Sequence, residues 1–176
     1  MNLPNSTIRK IKPDDLEQIK EIYSSAFPEE DLLALVQNLH DDKDNVFSFA
    51  AEEQGQTVGH ISFSECHVDE HACKFALLGP MAVTPDRQKC GVGSLLIRHG
   101  LQFLRSQKFD KAVVLGDPNY YGRFGFVQER TISPPYPLPK EWEAAWQSIA
   151  LSDTGADISG ELVVPAVWQD PRLWSN

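Results

Sequence analysis

The chain has 176 residues, with 16 Lys plus Arg against 25 Asp plus Glu and a formal net charge of −9. That length predicts a single domain, 1–176, and a balance this acidic lacks the basic footprint of a nucleic-acid binder or of a protein held on an anionic membrane surface. Apolar residues at 41% and charged residues at 23% exclude disorder, and no stretch approaches the roughly 20 apolar residues of a membrane span.

Met1–Lys10 has no apolar signal core, and Cys66, Cys73 and Cys90 make an odd count in a domain too large to need bridges. Both point to reduced thiols in a cytoplasm.

Thr7–Ile11 reads as a short strand. Pro13-Asp14-Asp15 then opens a helix, since proline and acids suit a helix N-terminus, and Leu16, Ile19, Ile22, Tyr23 and Ala26 form its apolar face. Pro28 interrupts, and Leu32, Val36 and Leu39 argue a second helix begun by the acids Glu29–Asp31. Three strand signals follow. They are Val46–Glu52, then Thr57–Glu65 with its mostly apolar–polar alternation, then Cys73–Val83, nearly continuously apolar as a central strand should be. A glycine-rich turn leads into an amphipathic helix over about Gly91–Gln107, where Gly93 and Gly100 would allow close approach to a sheet. Ala112–Leu115 is a buried strand and Pro118–Phe124 a short helical or looped piece. Thr131–Lys140, with four prolines in six positions, is an extended connection. Trp142 and Trp146 sit four apart on a short helix, and Glu161–Val164 is a last strand. All four tryptophans follow residue 140, which predicts a docked tail. The order predicts a mixed α/β sheet, largely antiparallel, with one parallel crossover.

The chemistry concentrates in Val83-Thr-Pro-Asp-Arg-Gln-Lys-Cys-Gly-Val-Gly-Ser94. A buried strand runs through a proline turn into Gln88-x-x-Gly91-x-Gly93, which opens a helix. Glycines let successive N–H groups converge, and the helix start adds about half a positive charge. On spacing alone the pattern serves a pyrophosphate cradle or a plain strand-to-helix turn. It is neither the Gly-Lys-Ser/Thr loop of nucleotide triphosphatases nor the dinucleotide fingerprint.

Leu77–Val83, Gln88–Ser94 and Tyr121-Gly-Arg-Phe-Gly-Phe126 together resemble the GNAT superfamily of acyl-CoA-dependent N-acyltransferases, over roughly residues 7–127, with 128–176 as an extension. Leu115–Phe126 and the Pro-rich tail look like a bacterial branch of predicted N-acetyltransferases with undefined substrates. The resemblance implies a sheet splayed into a V between two parallel strands, here Leu77–Val83 and Ala112–Leu115. It implies acetyl-CoA as acyl donor, with Met81, Ala82 and Val83 bonding the pantetheine arm and Gln88, Lys89, Cys90, Gly91, Val92, Gly93 and Ser94 holding the pyrophosphate. Pro80, which cannot donate to a ladder, fits a break in pairing there. The Met81 amide would stabilise the oxyanion, and Tyr121, with Tyr120 as fallback, would protonate the departing thiolate. The reaction implied is direct attack by a primary amine of a small molecule or peptide in a ternary complex.

There are departures. Cys90 stands where many members carry Lys or Arg, with Lys89 one place earlier. The central strand reads Ala76-Leu77-Leu78 where some members hold a basic Glu, leaving Glu65 or His67 as base, directly or through water. Cys66-His67-x-x-x-His71-x-Cys73 offers zinc-ligand types without a paired Cys-x-x-Cys knuckle, so no metal is expected. Glu29, Glu30, Asp31 and the aromatic Pro-rich tail are candidates for the acceptor side. The rival from another class is a non-catalytic acyl-CoA-binding sensor or interaction module. Oligomeric state is not readable, a homodimer being one option.

Overall fold

The computed structural model describes residues 5–175. In chain order the elements are β1 (Thr7–Lys10), α1 (Leu16–Ala26), α2 (Leu33–Asp41), β2 (Val46–Glu53), β3 (Gln56–Val68), β4 (Phe75–Val83), α3 (Val92–Ser106), β5 (Lys111–Leu115), α4 (Pro118–Tyr121), β6 (Val127–Gln128), β7 (Ile132–Ser133), β8 (Trp146–Ala150) and β9 (Gly160–Val163). They form two compact units: the chain up to Phe63 with Pro80–Gly100, and Ser64–Gly79 with the chain from Leu101 onward. β3, β4 and α3 each run from one unit into the other.

In the first unit β1 pairs antiparallel with β2, and the strand order continues to β3 and β4. α1 buries Ile19, Ile22 and Tyr23 against Val36 of α2 and Ala82 of β4, the face that its apolar spacing predicts. Asp15 begins that helix as a structural acid. Its carboxylate accepts Arg9 Nη1 at 2.7 Å and the Lys12 amide at 2.6 Å, and Arg9 holds its pKa below the usual carboxylate range against the opposing effect of burial. A Cβ at Gly100 would run into the Phe63 ring, and one at Gly59 would meet Leu96 at 3.0 Å. Glycines at both positions therefore let α3 approach β3.

In the second unit β4 and β5 are parallel, Phe75 opposite Lys111 through Leu78 opposite Val114. Gly79 follows at φ +140° and then Pro80, so the register ends where a proline begins. The hairpin turn runs further into Cys73–Val83 than its apolar run suggests. Glu70 has φ +65°, and β4 starts only at Phe75.

The tail differs from expectation in one element. Trp142 and Trp146 do not share a helix: Lys140–Ala145 is a 3-10 turn and Trp146 opens β8. β8 pairs with β5 along the whole of β5 and with β6 on its other edge. Ladder hydrogen bonds and a buried indole win over the i,i+4 spacing, and Trp146 Nε1 donates to Ile132 O at 2.7 Å. Within the second unit the tail is tied by buried indoles and by side-chain hydrogen bonds. Trp146, Trp168 and Trp174 are buried, with ring centroids about 6 Å apart. Trp168 Nε1 donates to Ser64 Oγ at 2.8 Å. Asp110 ties the same segment, accepting the Lys74 amide, Ser152 Oγ and Thr154 Oγ1 at 2.7–2.9 Å. Among the described residues no helix is long and apolar enough to cross a membrane.

Candidate active site

The glycine turn lies in the first unit and is built from β4 outward. The Thr84 amide donates to Val58 O at 2.9 Å, which carries the end of β4 into the turn. Pro85–Arg87 forms a 3-10 turn, and Arg87 Nε reaches Glu53 at 2.9 Å. Gln88 Nε2 donates to Val83 O at 3.1 Å, so the first residue of the Gln-x-x-Gly-x-Gly pattern binds the last residue of the strand expected to hold pantetheine.

Lys89 has φ +60° and Gly91 φ +89°. Two left-handed residues around Cys90 turn the backbone sharply, and at Gly91 the missing Cβ is what makes this cheap. The Leu95 amide takes Gly91 O at 3.0 Å. The amides of Val92, Gly93 and Ser94 therefore have no partner inside α3, as at any helix start. Gln88, Lys89 and Cys90 are exposed, and Met81 and Val83 half-buried. Cys90 Sγ donates to Gln88 O at 3.4 Å. Thr84 Oγ1 is buried with no partner among the described residues.

Tyr121 belongs to the second unit. Asp117 caps α4 by accepting the Asn119 amide at 2.9 Å. The Tyr121 ring lies over Gly116, where a Cβ would strike it, and meets Tyr120 and Phe126 edge-on at 5.1 and 5.7 Å. Burial raises its pKa well above the ordinary 10, and its hydroxyl makes no hydrogen bond with the described residues. Tyr120 instead packs its ring under the Arg123 guanidinium at 4.5 Å.

The base candidates Glu65 and His67 stand at a hairpin end. Glu65 lies 4.0 Å from Lys74 Nζ, and His67 Nε2 3.4 Å from Asp69. Burial pushes the Cys66 thiol up to about 12, while Cys73 is half-buried and His71 exposed. Glu29, Glu30 and Asp31 line a cavity of about 400 Å³ with Tyr23, Phe27 and Leu32 in the first unit. Tyr136 and its neighbouring prolines line one of about 720 Å³ in the second.

One polar group was not singled out in the sequence. His60 is buried, its Nδ1 2.9 Å from Tyr23 Oη and its Nε2 3.4 Å from Ser62 Oγ, which lies 2.8 Å from Ser48 Oγ. Burial, aided by His40, drops its pKa to about 3, so the imidazole is neutral. A lone His in an alternating strand reads as solvent-facing, and only the helices packed on that face reverse the reading.

Residues 16–126 match the sequence profile of the acetyltransferase (GNAT) family. An uncharacterized N-acetyltransferase of Escherichia coli strain K12, YjhQ, is 30% identical over 169 residues, covering 92% of this chain and 93% of that protein. A GNAT family acetyltransferase from Brucella melitensis, solved in complex with acetyl-CoA, superposes with a TM-score of 0.76 at 32% identity, covering 94% of this chain and 99% of that one. YhbS from Escherichia coli, solved in complex with CoA, shares the fold with a TM-score of 0.84 at 24% identity, covering 97% and 96% of the two chains. With more than half its length inside the family profile, this chain belongs to the acetyltransferase (GNAT) family.

Proposed function

We propose that the protein transfers an acetyl group from acetyl-CoA to a primary amine. The observation that carries this reading is the glycine turn: two left-handed residues and three amides with no partner inside α3 suit a pyrophosphate. The acetyl-CoA bound by the Brucella melitensis relative supports it. Met81, Ala82 and Val83 take the pantetheine arm, and Gln88 to Ser94 the pyrophosphate. No metal enters the chemistry.

In the reaction the neutral amine nitrogen attacks the thioester carbonyl carbon and forms a tetrahedral oxyanion, which the Met81 amide stabilises. One such donor is worth about 3 kcal/mol. The C–S bond then breaks, Tyr121 gives its hydroxyl proton to the thiolate, and the proton lost by the new ammonium returns through solvent to the Tyr121 phenolate. A raised pKa keeps the Tyr121 hydroxyl protonated in the resting enzyme. The acidic cavity between α1 and α2 receives the amine, because three carboxylates attract a cation and Phe27 and Leu32 accept an apolar stem. We place the whole of 1–176 in one acyltransferase domain working in the cytoplasm.

Free CoA released on incubation with acetyl-CoA and a panel of amines tests the proposal. Release should depend on amine and vanish in the Gly91→Val, Gly93→Val double variant, which should no longer bind acetyl-CoA by calorimetry. A folded double variant with unchanged affinity would remove the cofactor assignment. Acetyl-CoA binding without release to any amine would leave a sensor module instead.

A further inference from the structure

A cavity of about 360 Å³ opens in the first unit between the end of β1, the end of α2 and the start of β2. Nothing in the acetyl-transfer reading uses it. Its charged lining is Lys10, Lys12, Lys43 and Asp42; Lys10 is already engaged, and Lys12 and Lys43 still outnumber the one acid in a chain whose net charge is −9. Asp42 is already engaged, accepting Asn45 N at 3.2 Å and Asn45 Nδ2 at 2.8 Å. His40 also lines the cavity, and its Nδ1 is buried with no hydrogen-bond partner among the described residues. A buried polar atom left unpaired is destabilising, and a ligand atom can satisfy it. Leu39 and Phe49, both buried hydrophobic side chains, also line the cavity.

We infer that this cavity is a second ligand site, built for a small organic carboxylate with an apolar body. Its volume of about 360 Å³ is roughly twelve times the ~30 Å³ share of one liquid water. A bare inorganic ion would therefore leave the apolar wall wet. No arginine lines the cavity, so the planar fork that favours phosphate is absent, and lysines act as point charges toward a carboxylate. One carboxylate oxygen meets the ammonium rim and the other accepts from His40 Nδ1–H. The body covers the apolar wall, as in small-molecule sites that place a few polar groups against an apolar surface.

The test uses the full chain with 4-fluorobenzoate as probe, followed by its fluorine NMR line, with 4-fluorobenzyl alcohol and 4-fluorobenzylamine as neutral and cationic counterparts. Saturable binding of the carboxylate alone is expected, with the His40 ring protons shifting in step. Lys43 is exposed, so Lys43→Glu should stay folded and weaken binding by about tenfold, since it turns an attraction into a repulsion of similar size. Lys108→Glu, an equal charge change in the second unit, should leave affinity within about twofold. His40→Phe should weaken binding while keeping the apolar wall. Excess CoA should not displace the probe, and inorganic phosphate should compete only at far higher concentration. The assignment is overturned if the probe does not saturate, if all three compounds bind alike, if Lys43→Glu is without effect, if CoA displaces the probe, or if phosphate competes on equal terms.

Discussion

In the first unit the buried polar row is uncharged. Tyr23, His60, Ser62 and Ser48 follow one another through hydroxyls and a neutral imidazole. In the second unit one buried polar cluster is ionic. Lys111 Nζ meets Glu129 Oε2 at 2.8 Å, both side chains at most 5% exposed, and Glu129 further accepts Ser148 Oγ and the amides of Thr131 and Ile132. Burial pushes the Glu129 carboxyl up, but these donors, Lys111 first, outweigh it and hold it at about 2. The difference follows from what each arrangement joins. The neutral row links side chains of α1 and of the paired strands β2 and β3. The ion pair joins β5 to the segment just after β6, with Ser148 of β8 alongside, and a salt bridge fully dressed in hydrogen bonds fixes such a long-range register better than hydroxyls do.

Tyr121 departs most from the second unit's pattern, because it is half-buried and its hydroxyl makes no hydrogen bond with the described residues. If it is kept for chemistry, Tyr121→Phe should lower kcat by about 10²–10⁴-fold with the KM for acetyl-CoA nearly constant, the span of a positioned acid. Tyr120→Phe, whose ring is taken up by Arg123, is the control. A loss confined to Tyr120→Phe would exchange the two roles, and no loss in either would remove the acid.

Breaking the ion pair comes next in size. Glu129→Gln leaves the Lys111 ammonium buried without its anion and should cost about 3–5 kcal/mol in urea unfolding. Lys111→Met should cost less, because Glu129 keeps its other donors. Equal losses would mean that the backbone donors, rather than the pair, set the stability.

The smallest effect separates the units by pH. His60 has a lowered pKa, so the unfolded chain binds its proton first as pH falls below 6.5, and stability declines from there toward about 3. One group supplies a slope of up to about 1.4 kcal/mol per pH unit. Glu129 also has a lowered pKa, so its contribution is full above 4.5 and drains between 4.5 and about 2. His60→Gln should flatten the stability profile between about pH 6.5 and 4.5 and leave the steeper fall below it. A profile unchanged above pH 4.5 would show that His60 is not neutral in the folded protein.

The first unit was largely legible. The apolar periods of α1 and α2, the alternation of β3 and the glycine turn are local signals, and the structure places α1, α2, β2 and α3 within a residue or two of them. The second unit was legible only to β5. Trp146-Gln-Ser-Ile-Ala150 alternates too weakly to declare a strand, and two tryptophans four apart imitate a helix. β6 and β7 have two residues each, too short for any period to show. His60 and Lys111 were missed as buried groups for one reason: each lies on a strand face whose covering comes from sequence far away.

The position of β8 also bears on how the molecule is made. It lies between β5 and β6, although both are synthesised before it. While the chain grows from its N-terminus, the far edge of β5 can find its native neighbour only after Ala150 has left the ribosome. Until then a run of buried residues, Ala112-Val113-Val114, presents an open strand edge of the kind that pairs with other chains. The sheet of the second unit therefore closes only when β8 takes its place between β5 and β6.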